Sequence, residues 1–300
     1  MRSFLTQCRW GPFIAIEGDG ISRYVAAYGE WSPAEVDLIT TLTPEDGTVI
    51  EVGSNIGSHT ALIARHLAHG IVLAFEPQRP IYYILAGNLA LANCLNVIAK
   101  NMAVGDSCGE IEIETSDYST PWNYGSFSLR NGFSDEAPFP GTTQKTKVAI
   151  TTLDADPDAA ALTRMDLLKI DAEGCELDVL KGGQGLIKRH QPFIFVEAAR
   201  PQLTRDIAKW LGRRDYVGYW FIVTRARPES FRTPAPEVAP PPLHMDINII
   251  YAPRAKADLL SVLPLVGDDD WPPRLTPVLQ RYPHPPGAPF EYGFPSPRPE

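Results

Sequence analysis

The chain has 300 residues, 44% of them apolar and 21% charged, which is ample for a substantial core in one large domain or one domain with additions. A formal charge of −9 and a pI near 5.2 argue against electrostatic binding to nucleic acid, and no basic block or aromatic-basic stripe restores that idea. No apolar run reaches membrane-spanning length, and the N-terminus, with Arg2 and Arg9, lacks the apolar core and cleavage signal of a secretory leader.

In chain order, residues 1–47 read as an N-terminal extension and lead-in. Trp10 to Ile16 predicts a short strand. Ser32, Pro33 and Glu35 stand at N-cap, first helical position and N3, a capping box opening a helix through Leu42. Pro44-Glu45-Asp46-Gly47 turns into a strand built on Val49, Ile50 and Val52, β-branched residues suited to a central parallel position. A helix is expected from about Ser58, with Leu62, Ile63 and Leu67 inward. Ile71 to Phe75 predicts a second strand, Pro80 to Asn93 a helix, Asn96 to Lys100 a third strand, and Ile111 and Ile113 a half-exposed one. Such alternation implies an α/β fold, a mostly parallel sheet with helices on both faces.

Residues 116–146 break the pattern. They are rich in Ser, Gly, Asn and aromatics, and read either as a lid over a site or as an insertion packed by its own rings. Strands return at 147–153, 165–170 and 193–196, with helices at Glu176 to Leu186 and Leu203 to Leu211. Tyr216 to Val223 and Ile247 to Tyr251 predict a closing antiparallel hairpin. Eighteen of the 29 prolines follow residue 227, in an excursion over 228–242 and a tail over 253–300. From 264 onward the tail is read as disordered or extended over a surface. The domain plan is therefore 1–47, 48–252 and 253–300.

The densest chemical signal is Glu51-Val52-Gly53-Ser54-Asn55-Ile56-Gly57, a strand running through a glycine turn into a helix, with Glu76 closing the next strand. Gly53 and Gly57 permit close approach, and Asn55 tolerates the left-handed region. A dinucleotide fingerprint would carry G-x-G-x-x-G and a pyrophosphate, which Glu51 would repel. A nucleoside ligand with positive charge, S-adenosylmethionine above all, suits the acids better, with Glu76 on the ribose hydroxyls. A plain glycine turn with a chance acid is the bland alternative.

The second signal is Leu168-Lys169-Ile170-Asp171-Ala172-Glu173-Gly174-Cys175-Glu176. Strand C-terminal ends are where open parallel sheets bind ligands, so Asp171 and Glu173 should face the same crevice as Gly53 and orient the acceptor or take its proton. Glu176 suits helix capping. Lys169 has Asp171, Glu197 or the surface as partners, and Glu197 repeats the pattern of an acid ending an apolar strand. His59 reads as a local hydrogen-bonding residue before a ligand. Cys8, Cys94, Cys108 and Cys175 show no disulfide or zinc spacing and fit a reducing cytoplasm; no histidine-carboxylate spacing marks a metal.

Together with Tyr28-Gly29-Glu30-Trp31, Ala74-Phe75-Glu76-Pro77, Asn101-Met102-Ala103-Val104-Gly105-Asp106, Thr152-Leu153-Asp154 and Leu180-Lys181-Gly182-Gly183, these blocks resemble, in order, the FkbM family of S-adenosylmethionine-dependent methyltransferases over roughly residues 28–200. The resemblance implies the class I methyltransferase (Rossmann-like) fold, a seven-stranded sheet with a reversed final hairpin. It carries cofactor contacts to Glu51, Gly53, Ser54, Asn55, Gly57 and Glu76, to Tyr28 and Glu30 at the methionine end, and to Asn101 and Ala103 at the adenine. Asp171 would face the transferring methyl. The implied activity is O-methylation of a small-molecule or glycan hydroxyl; a homo-oligomer is compatible with the sequence. A non-catalytic nucleoside-binding module and a nicotinamide-dependent oxidoreductase are the competing functions.

Overall fold

The chain opens with a hairpin of which the sequence predicts only the second strand: β1 (Ser3–Cys8) pairs antiparallel with β2 (Gly11–Ile16). The computed structural model describes residues 1–134, 137–198, 200–227, 229–234 and 245–267. Next comes α1 (Gly20–Tyr28), a helix the sequence analysis did not anticipate. Its N-cap Asp19 accepts from the Ser22 amide at 2.8 Å, and Gly29 closes it in the left-handed region. α2 (Pro33–Leu42) has the predicted bounds but not the predicted capping box. Ser32 lies at φ 39° and makes no side-chain cap bond. Its hydroxyl goes to Asp246, and the Glu35 side chain accepts from Asn248. Tertiary partners have replaced the local ones.

From there the sheet follows the sequence closely. β3 (Thr48–Val52) is wholly buried and runs through the turn into α3 (Thr60–His66); β4 (Ile71–Phe75), α4 (Arg79–Leu91) and β5 (Val97–Lys100) come after. β6 (Ala103–Val104), β7 (Gly109–Ser116) and β8 (Thr143–Thr151) form a small separate sheet, so pairing extends into the segment predicted to be irregular. A short helix α5 (Pro157–Ala160) leads to β9 (Leu167–Ile170). The helix predicted over 176–186 is two helices, α6 (Glu176–Gly182) and α7 (Gln184–His190), meeting at Gly183. The consecutive glycines Gly182 and Gly183 weaken helix continuity there. β10 (Phe193–Glu197), α8 (Pro201–Gly212), β11 (Tyr216–Thr224) and β12 (Met245–Pro253) complete the order.

The seven-stranded sheet runs β11-β12-β10-β9-β3-β4-β5. The five strands β10, β9, β3, β4 and β5 are parallel, whereas β12 enters antiparallel between β10 and β11. This is the sheet with a reversed final hairpin that the family resemblance implies. One core cluster lies on each face. The first joins Phe13, Leu38 and Ile39 of the lead-in to Ile63, Leu85 and Phe195, so residues 1–47 share the core rather than forming an appendage. Asn88 of α4 fastens the hairpin. Its carboxamide oxygen accepts from the Ile14 amide at 2.6 Å, and its nitrogen donates to the carbonyls of Ile14 at 3.1 Å and Ile56 at 2.8 Å. At the other end, the β11 edge is covered by later chain: the Trp220 amide donates to the Pro264 carbonyl and the Val266 amide to the Gly218 carbonyl.

Residues 116–134 pack on themselves and on the body. Tyr118, Tyr124, Phe127 and Phe133 are buried with ring centroids 4.7–5.9 Å apart. The proline-rich excursion is described only at 229–234 and the tail only to residue 267; the rest of both predictions lies outside the described residues. Among the described residues no helix is long and apolar enough to cross a membrane.

Candidate active site

β3 and β9 lie side by side, and both end at one cleft, as parallel strands in such a sheet must. Counting its open mouth, the cleft holds about 990 Å³ of space not filled by protein. At the end of β3, Gly53 sits at φ +86°, and a Cβ there would lie 1.8 Å from the Asp171 carbonyl oxygen. Only glycine fits between the two strand ends. Asn55 follows at φ +47°, the left-handed position anticipated for it.

At the end of β4, the buried Glu76 carboxylate is clamped by the turn. One oxygen accepts from the Asn55 amide at 3.0 Å and the other from the Gln78 amide at 2.8 Å. Burial pushes this carboxyl up to about 7, against the opposing pull of those two amides. Gln78 also joins the insertion to the turn, accepting from the Tyr118 hydroxyl and donating to the Tyr124 carbonyl. Met102, Ala103 and Val104 line an apolar end beside it, and Asn123, Gly125, Phe127 and Leu129 bring the insertion to the wall.

The facing wall is acidic. Asp171, Glu173 and Glu197 each place a carboxylate oxygen within 4.8 Å of the others. A hard cation can bridge such a spacing, and acids crowded at adjacent strand ends show it without one. Burial, then Glu173 and Asp171, raise the Glu197 carboxyl well above its ordinary value. Glu173 adopts φ +45° ahead of Gly174, a strained backbone that projects this loop into the cleft. Lys169 is 2% exposed and reaches Asp171 at 3.3 Å and Glu51 at 3.7 Å. Burial opposes its charge, but Asp171, Glu51 and Glu35 together outweigh burial and hold it protonated.

A third group comes from outside the strand-turn core. Trp31 and Glu35 of the lead-in, Arg225 after β11, and Asp246 and Asn248 of β12 all line the cleft. Arg225 pairs with Asp246 at 2.8 Å and lies 5.0 Å from the centre of the Trp31 ring. Sequence reasoning missed Gln78, Arg225, Asp246 and Asn248. For the last two a signal existed: they alternate as polar positions on one face of an otherwise apolar strand.

Of the sequence-predicted site residues, Gly53, Asn55, Glu76, Ala103, Asp171 and Glu173 come together on the cleft wall. The others stand behind it. Glu51 accepts from the Thr60 hydroxyl at 2.5 Å and faces Lys169. The Ser54 hydroxyl donates to the Glu51 carbonyl, and Gly57 packs against Leu85. Asn101 donates to the carbonyls of Glu76 and Pro77, fixing that loop without lining the cleft. Tyr28 is buried beside Tyr24 and Ala226, and Glu30 pairs with Arg9 at 2.6 Å and Arg227 at 3.7 Å, so neither is brought to the wall. His59 makes no local cap bond; its Nε2 lies 3.1 Å from the Trp31 carbonyl of the lead-in, a tertiary contact in place of the expected local one.

Residues 51–217 match the Methyltransferase FkbM domain family. Among sequence relatives, methyltransferase sdnD of Sordaria araneosa is 31% identical over 194 residues, covering 56% of this chain and 74% of that protein. The hexuronic acid methyltransferase AglP of Haloferax volcanii is 28% identical over 185 residues, covering 59% and 67%. A solved FkbM methyltransferase from Methylobacillus flagellatus KT aligns at 16% identity and a TM-score of 0.42, over 69% of this chain but only 44% of that one. With the domain match spanning more than half of its residues and a relative above 30% identity, the chain belongs to the FkbM methyltransferase family.

Proposed function

We propose that the protein binds S-adenosylmethionine at the Gly53 turn and transfers its methyl group to a hydroxyl of a small-molecule or glycan acceptor. The observation that carries this is Glu76: a buried carboxylate, oriented by the Asn55 amide of the glycine turn and by the Gln78 amide just after it in the chain, opening on the cleft that Gly53 enters. The cleft fits the donor on three counts. Gly53 and Asn55 of the turn line the cleft, Met102 to Val104 offer an apolar end, and the acidic walls suit a ligand with net positive charge. When bound, the donor supplies an already activated methyl, so positioning contributes much of the rate. Asp171 and Glu173 lie across from the turn and orient the acceptor, and a carboxylate of the cleft assists loss of its proton.

AglP is named for hexuronic acid. Here Glu35, Glu173, Glu197 and Asp246 surround the acceptor side, and the cation among them, Arg225, is paired with Asp246. That balance favours an uncharged hydroxyl acceptor over an anionic one. Residues 48–252 form the catalytic domain in this scheme, with 1–47 contributing one wall. A cytoplasmic location accords with four cysteines that are all free.

Titration calorimetry with S-adenosylmethionine is the test. Measurable heat and a raised melting temperature are expected, and Glu76→Ala should abolish most of both. Absence of both heat and thermal protection in the wild type would sink the proposal. Binding without product in a screen of neutral saccharides and phenols would favour the non-catalytic module.

A further inference from the structure

The cleft holds one carboxylate whose surroundings differ from the rest. Asp171 is tied to Lys169, Asp246 to Arg225 and Ser32, and Glu76 to two backbone amides. Glu173 and Glu197 crowd Asp171. Glu35 is 5% exposed and lines the cleft, yet its hydrogen-bonding partner is the uncharged Asn248 amide, which donates to Oε1 at 3.1 Å. Its other oxygen lies 3.9 Å from His59 Nδ1.

The state of His59 follows from its other nitrogen. A carbonyl can only accept, so Nε2, 3.1 Å from the Trp31 carbonyl, carries the hydrogen. Burial, with Lys169 adding to it, lowers the imidazole to about 3, so the ring is neutral and Nδ1 is a bare acceptor. The Oε2 atom therefore faces a neutral ring nitrogen that is beyond hydrogen-bond reach and has no hydrogen to donate to a carboxylate. The start of α2 is bolted in place to present this pair: the Ser32 amide donates to the Arg225 carbonyl, and its hydroxyl bonds Asp246.

We propose that Glu35 is the group that takes the acceptor's hydroxyl proton, its surroundings of neutral His59 and the uncharged Asn248 amide favouring a protonated resting form. The assignment rests on the methyl-transfer function proposed above and names its proton acceptor. The donor's positive charge ionises Glu35 on binding, and the released proton leaves to solvent. As the acceptor oxygen forms its bond to the methyl carbon, the methyl–sulfur bond breaks and its electron pair stays on sulfur. The hydroxyl proton passes to the Glu35 carboxylate. The groups facing Glu35 are His59 at the N-cap of α3, Lys169 of β9 with Asp171 beyond it, and Asp246 and Asn248 of β12. Burial first, then Asp246, push its carboxyl up to about 8 against the pull of Lys169, close to the working range of a general base.

Proton release on donor binding tests this without an acceptor. S-adenosylmethionine is titrated at pH 7.5 in two buffers of different ionisation heat, with wild type, E35Q, E35D and E76Q. Wild type is expected to release roughly half a proton or more. E35Q, which keeps the Asn248 bond, should bind the donor within about threefold of wild type while losing most of that release. E35D should restore part of it, and E76Q should weaken binding instead. On any hydroxyl probe that wild type methylates, E35Q should be at least a hundredfold slower. Equal release from wild type and E35Q overturns the assignment, as does an E35Q rate within threefold of wild type, or loss of release in E197Q instead. Absence of donor heat in wild type removes the methyl-transfer proposal and this assignment together; donor binding with unaltered E35Q removes this assignment alone.

Discussion

The two walls of the cleft are made in opposite ways. Gly53, Asn55, Glu76 and Ala103 come from strand ends within the family match, and backbone geometry holds them: a left-handed turn, two amides on one carboxylate, a strand end with no room for a Cβ. Trp31, Glu35, Arg225, Asp246 and Asn248 all lie outside residues 51–217 and are joined by side chains, two of the ties, Ser32 to Asp246 and Glu35 to Asn248, reaching across more than 200 positions of sequence. The first wall is a local consequence of sequence. The second exists only once β12 has inserted beside β10 and the lead-in has docked. Such a division suits a family that keeps one ligand and varies another, because flanking segments change without disturbing the strand-turn core.

The contrast can be broken most severely at Gly53. Gly53→Ala forces a Cβ onto the Asp171 carbonyl at an unfavourable φ, and urea denaturation should show a loss of roughly 3 kcal/mol or more together with loss of donor binding. Glu76→Ala should leave the fold largely intact but weaken donor affinity by roughly tenfold to a hundredfold in calorimetry, the worth of charge-assisted hydrogen bonds. Asp171→Asn acts on the border between the walls. It removes a partner of buried Lys169, so donor affinity should hold while the transfer rate falls about tenfold; an equal loss of both would place Asp171 on the donor.

The smallest effect is on pH. Burial raises Glu35 to about 8 and Glu76 and Glu176 to about 7. Their folded values exceed their unfolded ones, so the stability they contribute is complete below about pH 4.5 and is lost as pH rises through 7 and 8. The melting temperature of the donor-free protein should fall by a few degrees between pH 5 and pH 8, and saturating S-adenosylmethionine should flatten the slope. A melting temperature that rises over that interval would contradict the buried acids as described.

What could be read from the chain follows the same division. The turn from Glu51 to Gly57 and the strand ends at Glu76 and Asp171 are contiguous words in the sequence, and the parallel sheet follows from their alternation. Helix α1 escaped notice although Asp19-Gly20-Ile21-Ser22 carries a capping signal, with Asp19 three residues before the amide it binds. Glu35 was legible only as a helix cap, since nothing local says that Asn248 will draw it inward. Tyr28 and Glu30, expected at the methionine end, instead serve the packing of the lead-in, because Arg9 and Arg227 claim Glu30.

One detail at the far margin of the sheet bears on how the molecule behaves among copies of itself. An uncovered outer strand offers unpaired amides and carbonyls to any passing chain. Here the polypeptide returns after β12 and binds its own border like a selvedge, with Pro264 and Val266 bonded to Trp220 and Gly218. Removing residues 264–267 would unpick that hem and leave an aromatic, β-branched ribbon exposed, turning a self-contained sheet into a template for growth.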